Sequence, residues 1–353
     1  MIRLLDLGHV SYLHSQSIYH AVAYCIDEAS HGTIIILNPG EPYVCIGYHQ
    51  VLEEEIDIEY CRQRGFPVLR REVGGGAVYL DQDQLFFQCV FPGGSVPIRV
   101  DDLYELFLRP AVNTYRSLGL DARYRPANDI QVGEKKICGT GAGRIGNASV
   151  VVGNIMFDFD YEEMSRVLRV QSEDLRDKVY ESMRAYVTTL RAELGYVPDR
   201  EKVKETLITE FREVLGISLQ KGGLTPDEQR MLATMDNKFI DPDWLHEKGG
   251  KVNEWVKITT DVKVIESTYR SAGGPIRVIC RLKGDTIDDI VVLCGFPFQS
   301  QHDLKGLEGH LIGQPVDAGP LLKTIESFYV SRGIRSAGIR PEDVVRAIMG
   351  EKN

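Results

Sequence analysis

Seven cysteines stand at positions 25, 45, 61, 89, 138, 280 and 294, and no two of them form a C-x-x-C pair. Their odd number and scattered spacing argue against a disulfide framework. The eight histidines contain no H-E-x-x-H arrangement, so a structural zinc site is not expected either. Most of these cysteines have apolar neighbours and are expected to be buried, inert thiols. Long apolar runs are also missing. The longest aliphatic run is Ile34-Ile35-Ile36-Leu37, far short of the roughly 20 residues that span a bilayer. Asp6, His9 and His14 interrupt the N-terminus where an export signal needs an apolar stretch. A cytoplasmic protein without a membrane partner is expected. Cation excess is lacking as well: 41 Lys and Arg against 51 Asp and Glu give a net charge of −10, which argues against nucleic acid as a partner, because neutralising phosphates needs clustered positive charge. No internal repeat or low-complexity tract is present.

What remains is an ordinary globular composition, 43% hydrophobic and 26% charged, in 353 residues, enough for two domains. The apolar spacing predicts a helix over 17–29, strands at 33–37 and 43–48, and a helix near 54–64 that stops at Gly65. Strands follow at 67–71, 76–80 and 84–91, then a helix capped by Asp101. Strands return over 128–158, and residues 160–247 read as helical and charged, the end of a first domain with its connector. Strands near 251–257, 262–270, 275–283 and 286–293 and two or three helices make a second. The fold class is α+β: a mixed, largely antiparallel sheet flanked by helices over 1–247, and a smaller C-terminal α/β domain over 248–353.

Two clusters carry the chemistry. Arg70-Arg71-Glu72-Val73-Gly74-Gly75-Gly76-Ala77-Val78-Tyr79-Leu80-Asp81 runs two cations into three glycines. Glycine amides can be approached closely and can turn toward one point, which suits a phosphate. A plain glycine hairpin between strands 67–71 and 76–80 is the competing reading. The second cluster is Asn128-Asp129-Ile130, followed by Lys135-Lys136-Ile137-Cys138-Gly139-Thr140-Gly141. Nearby, Gly141-Ala142-Gly143-Arg144-Ile145-Gly146 fits G-x-G-x-x-G, but the following Ala148–Phe159 segment reads as a strand, so the dinucleotide fingerprint fails its context.

The pair of clusters resembles the lipoate-protein ligase family, whose pattern is Arg-Arg-x-x-Gly-Gly-Gly-x-Val-x-His-Asp, then Asn-Asp-(Leu/Ile), then Lys-x-x-Gly-(Ser/Thr)-(Ala/Gly). The likeness extends upstream to Asn38-Pro39 and Gly47-Tyr48-His49-Gln50, and downstream to residues 249–350, similar to the family's accessory domain. The resemblance implies the topology of the large domain and an ATP-dependent reaction. Lipoate is activated to lipoyl-AMP, then passed to a lysine of a carrier, either a lipoyl domain or an H-protein-like protein. ATP, Mg²⁺ and lipoate or octanoate are the implied ligands.

On this resemblance Lys136 is the catalytic cation between carboxylate and α-phosphate; Lys135 lacks the Lys-x-x-Gly-Thr-Gly spacing. Arg71, Gly74, Gly75, Gly76, Ala77, Val78, Tyr79, Asp81, Asn128, Asp129 and Lys136 are expected to bind the nucleotide. Gly47, Gln50, Arg71, Gly76, Lys136, Gly139, Thr140 and Gly153 are expected to line the lipoate pocket. Asp129 offers a hard oxygen for Mg²⁺, or makes an Asx turn. Arg70 could equally be a surface cation. Three departures stand out: Leu80 where the family has histidine, Val73 for a common serine, and Gly153-Asn154-Ile155-Met156-Phe157-Asp158 for Gly-Thr-Leu-Leu-Leu-Asn. They place the acyl substrate in question.

An ATP-independent octanoyl or lipoyl transferase of the same superfamily is the runner-up. It needs a nucleophilic thiolate, and residues 121–127 and 154–170 contain no cysteine where its branches carry one. A biotin-protein ligase lacks support because Gly-Arg-Gly-Arg is absent. A scaffold that binds a lipoyl carrier without chemistry gains some weight from Leu80 and Asp158. The acceptor stays open among 2-oxoacid dehydrogenase lipoyl domains, glycine-cleavage H protein and a specialised sulfur-oxidation carrier.

Overall fold

The structure, a computed structural model, describes residues 1–97, 99–126, 128–247, 255–294, 301–334 and 339–350. By internal contacts the chain divides into two units: Met1–Arg169 with Tyr186–Val252, and Val170–Ala185 with Asn253–Asn353.

The first unit opens with β1 (Ile2–Val10) and α1 (Tyr12–Tyr24). The helix begins earlier than expected because Ser11 caps it, accepting from the His14 N–H, and it ends early because Asp27 ties the next turn to Ala29 and Ser30. After β2 (Thr33–Pro39) and β3 (Tyr43–Ile46) come α2 (Leu52–Glu55) and α3 (Ile58–Arg64). One helix was expected over 54–64. Ile56 splits it by turning extended to pair with Leu168, while Gly65 closes α3 at φ 71° as expected. Next are β4 (Val68–Arg70), β5 (Val78–Leu80), β6 (Gln84–Pro92) and α4 (Val100–Ser117). Asp101 lies in the first turn of α4 rather than at its cap, a place Arg99 takes without a side-chain bond.

Strands β7 (Ala122–Arg125), β8 (Asp129–Val132), β9 (Lys135–Cys138), β10 (Thr140–Ile145) and β11 (Ala148–Met156) follow. Then come α5 (Tyr161–Val167), α6 (Glu173–Tyr186), α7 (Leu190–Leu194), α8 (Arg200–Leu215), β12 (Leu219–Lys221), α9 (Pro226–Phe239) and α10 (Pro242–Leu245).

Six strands make the main sheet in the order β10-β11-β6-β2-β1-β12, antiparallel apart from the β1–β2 and β1–β12 pairs. Two further sheets of three strands each, β4-β3-β5 and β7-β8-β9, complete the unit's strands. Both faces of β2 are covered, which explains its unbroken Ile34–Leu37 run. Ile34 and Ile36 join Phe87, Phe107, Tyr115 and Phe211 on the α4/α8 side, whereas Ile35 and Leu37 join Ile18, Val22 and Val90 on the α1 side. Each such side chain contributes roughly 1.5–3 kcal/mol on burial.

In the second unit β13 (Trp255–Lys257), β14 (Val262–Ser271), β15 (Gly274–Lys283) and β16 (Thr286–Cys294) form an antiparallel sheet in chain order. Helices α11 (Gln301–Leu311), α12 (Ala318–Arg332) and α13 (Pro341–Met349) follow, and a core of Ile276, Val278, Leu307, Ile325, Phe328 and Val344 joins sheet and helices. Helix α6, expected in the connector of the first domain, belongs by its contacts to this unit: Lys178 pairs with Asp289, and Arg277 reaches Asp174 at 3.1 Å. The expected boundary at 248 and the start of the strand at 251 lie outside the described residues. Among the described residues no helix is long and apolar enough to cross a membrane. The α+β architecture with a largely antiparallel sheet is the one the pattern implied.

Candidate active site

Strands β4 and β5 lie on opposite sides of β3, one parallel and one antiparallel to it. Residues 71–77 therefore cross over the end of β3 and form no hairpin, so that alternative is wrong: the two strands it would join are not neighbours. Arg71 is buried and staples the crossover. Its Nη1 donates to the Cys45 carbonyl at 3.2 Å, and its Nη2 donates to the Gly74 and Gly76 carbonyls at 3.0 and 2.9 Å. Gly75 sits at φ 107°, a conformation that favours glycine. Gly47 lies directly beneath it, since a Cβ there would stand 2.1 Å from the Gly75 oxygen. Gln50 Oε1 accepts from the Gly47 N–H at 2.9 Å, and the Tyr48 N–H bonds the Val73 carbonyl at 3.2 Å. The structure thus gathers Gly47, Gln50, Arg71, Gly74, Gly75 and Gly76 into one loop assembly.

Downstream of the loop the roles diverge. Ala77 is half-buried, Val78 pairs with Cys45, and the Tyr79 N–H donates to Met164 Sδ at 3.2 Å. Asp81 holds a turn by accepting from the Asp83 N–H at 3.0 Å, and burial pushes its carboxyl up to about 6. Leu80, in place of the family's histidine, packs into the α1-side core. Arg70 is no surface cation: it is 1% exposed.

The second cluster is built on the β8–β9 hairpin, turned by Gly133 at φ 58°. Lys136 lies opposite Gln131, and its Nζ stands 2.8 Å from Asp129 Oδ1. The lysine side chain is 16% exposed and the aspartate 1%, so a partly open cation rests on a buried carboxylate. The strand beneath is fixed, since the Lys136 carbonyl accepts from the Thr188 N–H and the Ile137 carbonyl from the Tyr115 hydroxyl, both at 2.8 Å. Asn128 Nδ2 donates to Thr140 Oγ1 at 3.0 Å, and the Thr140 hydroxyl donates back to the Asn128 carbonyl.

Two polar residues tie the clusters together: Gln84, which the sequence did not single out, and Asn154, which it marked only as part of a departure from the family pattern. Asn154 Oδ1 accepts from the Gly139 N–H at 2.7 Å, its Nδ2 donates to Gln84 Oε1 at 2.7 Å, and Gln84 Nε2 donates to the Tyr79 carbonyl at 3.3 Å. Gln84 gave no signal beyond being an amide in an apolar strand. His20 was missed too. It is fully buried, its Nδ1–H meets the Gln16 carbonyl, and its Nε2 accepts from the Glu72 N–H at 3.2 Å. Burial pushes the imidazole down to about 4, so it stays neutral at pH 7.

Val73 provides the direct packing between the clusters. Its methyls lie 3.7 and 3.2 Å from where Cβ atoms would stand on Gly141 and Gly143, so those glycines let the loop approach β10. The spurious G-x-G-x-x-G is thus part of the β10–β11 hairpin, turned by Gly146 at φ 53°. Gly153 pairs with Thr140, but a Cβ on it would fall 2.3 Å from Phe87; its smallness serves the core. Asp158 makes a 2.6 Å ion pair with Arg191. Among the described residues no group of three or more His, Cys, Asp or Glu could hold a metal by itself. Burial raises every described thiol, Cys138 to about 12.

A family model described as the lipoyl protein ligase A/B catalytic domain matches residues 11–212. The chain is similar to lipoate-protein ligase A subunit 1 of Thermoplasma acidophilum, 32% identical over 212 residues, covering 57% of this chain and 79% of the relative. It is also similar to the octanoyltransferase LipM of Kyrpidia tusciae, 28% identical over 232 residues, covering 59% and 84%. Among solved structures, the bipartite lipoate protein ligase of T. acidophilum, studied with its E2 lipoyl domain, superposes with a TM-score of 0.64 at 30% identity, covering 70% of this chain and 97% of that one. A lipoate-protein ligase A bound with ATP gives 0.61 at 27% identity, covering 70% and 98%.

Proposed function

Because the chain belongs to the lipoyl protein ligase A/B catalytic family, we propose that it is an ATP-dependent lipoate-protein ligase. The observation that carries this reading is the Lys136–Asp129 pair, a partly exposed cation on a strand fixed by Thr188 and Tyr115, in the same cluster as Gly141, which Val73 of the glycine loop covers. In the first half-reaction a lipoate carboxylate oxygen bonds the α-phosphorus of ATP and pyrophosphate leaves. Lys136 lies between the two anions and stabilises charge that grows in the transition state. The glycine loop, stapled by Arg71, offers backbone to the nucleotide, and Asn128 and Asp129 of the second cluster complete its contacts. In the second half-reaction a carrier lysine attacks the acyl carbon and AMP departs.

Asp129, 1% exposed and paired with Lys136, is the carboxylate that would hold Mg²⁺ brought with ATP, and the ion would supply charge neutralisation on the phosphates. The carrier is a lipoyl domain, by analogy with the partner of the archaeal relative, and the second unit acts as the accessory domain of a cytoplasmic enzyme.

Similarity to an octanoyltransferase keeps a thioester route as the second reading. Against it, burial holds each described thiol in its neutral form, whereas a thioester needs a thiolate. The test is intact-mass analysis of a lipoyl-domain acceptor incubated with enzyme, lipoate and Mg–ATP. Lipoyl addition that stops when ATP is omitted supports the ligase; transfer from a preloaded carrier without ATP overturns it.

A further inference from the structure

The glycine loop is held from behind by residues beyond the stretch that carries the family match, which ends at 212. Arg70, 1% exposed, spends its guanidinium on five backbone carbonyls: Nη1 donates to Tyr48 at 2.9 Å and Gln50 at 2.7 Å, Nε to Trp244 and Leu245 at 3.1 and 3.2 Å, and Nη2 to Leu245 and Glu247 at 2.9 and 2.8 Å. The grip is reciprocal, because Trp244 Nε1 donates to the Arg70 carbonyl at 3.0 Å. Lys238 Nζ pairs with the Glu72 carboxylate and lies 3.9 Å above the Trp244 ring, which stacks on Phe239.

These contacts fix both supports of the loop. One is its entry, residues 70–72; the other is the Gly47–Gln50 turn on which Gly75 rests. Apart from the adjoining residues, no atom lies within 4 Å of the Cβ positions built on Gly74 and Gly76, so that face of the loop is open, and its other holds are the Arg71 staple and the packing of Val73 on Gly141 and Gly143. The contacts behind the loop add to those holds by fixing the two supports on which it rests. A guanidinium can satisfy several carbonyls at once because its five donors fan out in one plane; an ammonium in the same place would leave some unpaired.

We propose that residues 238–247 form a brace that positions the Arg71–Gly76 loop for its ligands, with Arg70, Trp244 and Lys238 as positioning residues rather than ligand contacts. The inference rests on the ligase reading only for which ligands are affected. The test uses the full chain with Trp244→Phe, which keeps an aromatic face but removes the indole N–H, and Lys238→Met. Hydrogen–deuterium exchange of amides 71–77 should quicken about fivefold in each variant, the scale of one lost hydrogen bond, while amides of β2 and β6 stay unchanged. Pyrophosphate exchange should show KM for ATP or lipoate raised by about the same factor, with kcat within about twofold, the mark of weakened ground-state binding. Unchanged loop exchange, or equal acceleration throughout the sheet, overturns the brace. If the wild-type protein catalyses no pyrophosphate exchange, the ligase reading fails, and amide exchange still decides the brace.

Discussion

Replacing Lys136 by methionine should damage stability and activity for separable reasons. Its Nζ lies 2.8 Å from Asp129 Oδ1, and the aspartate side chain is 1% exposed. Exposed ion pairs contribute about 1 kcal/mol or less, but removing one partner of a buried pair strands the other and costs about 3–5 kcal/mol. Because the lysine retains some exposure, the lower end, about 3 kcal/mol, is expected for Lys136→Met. At roughly 2–4 °C per kcal/mol for domains of this size, the first unit should melt about 6–12 °C lower. Adding Asp129→Asn removes the stranded charge, so most of that loss should return in the double variant. Activity should not return: loss of a preorganised cation aimed at developing charge costs about 10²–10³ in rate. Thermal unfolding and acceptor lipoylation followed by mass spectrometry measure the two effects side by side. A double variant that regains activity together with stability would refute the catalytic assignment and leave Lys136 as a structural counterion. A single variant that melts with the wild type would refute the electrostatic argument.

Gly47→Ala places a methyl where the Gly75 carbonyl stands 2.1 Å away; as backbone cannot swing aside, the loop must shift, and a displacement of about 1 Å is expected to reduce pyrophosphate exchange about 10²-fold. Normal exchange in that variant would show that the loop does not hold the nucleotide. Asp81 has its carboxyl raised by burial from 3.8 to about 6. A raised acid binds its proton more tightly when folded, so this group's penalty is present above about pH 6 and is relieved as pH falls toward 4. Asp81→Asn should therefore raise stability at pH 7, by a ceiling of roughly 3 kcal/mol at 1.36 kcal/mol per unit, and leave it unaltered near pH 4; equal effects at both pH values would contradict the assignment. Cys138→Ser should leave ATP-dependent lipoylation within about twofold, since a buried thiol raised to about 12 supplies no nucleophile; abolished transfer would favour the thioester route.

Much of the order of strands and helices was legible because it is a property of local pattern, but β1, β7 and β12 were not expected from the sequence. Two-faced burial of β2 required the aliphatic run at 34–37, and Gly65 announced the end of α3 because a left-handed residue there favours glycine. The chemical residue types were legible too: a cation pair before three glycines, and a lysine three residues before Gly139, are patterns within short stretches of chain. What only the tertiary structure decided is what each of those groups touches. Sequence could not separate a glycine hairpin from a crossover, since that depends on β3, which lies more than twenty residues upstream, inserting between β4 and β5. Arg70 and Arg71 are adjacent and chemically identical, yet one is buried under the carbonyls of 244–247 and the other staples the loop. Asn154, Gln84 and His20 give no periodic signal because their partners lie on other elements. Local order follows from residue-by-residue propensity, whereas the satisfaction of a buried donor or acceptor is a long-range condition that exists only once the chain has folded.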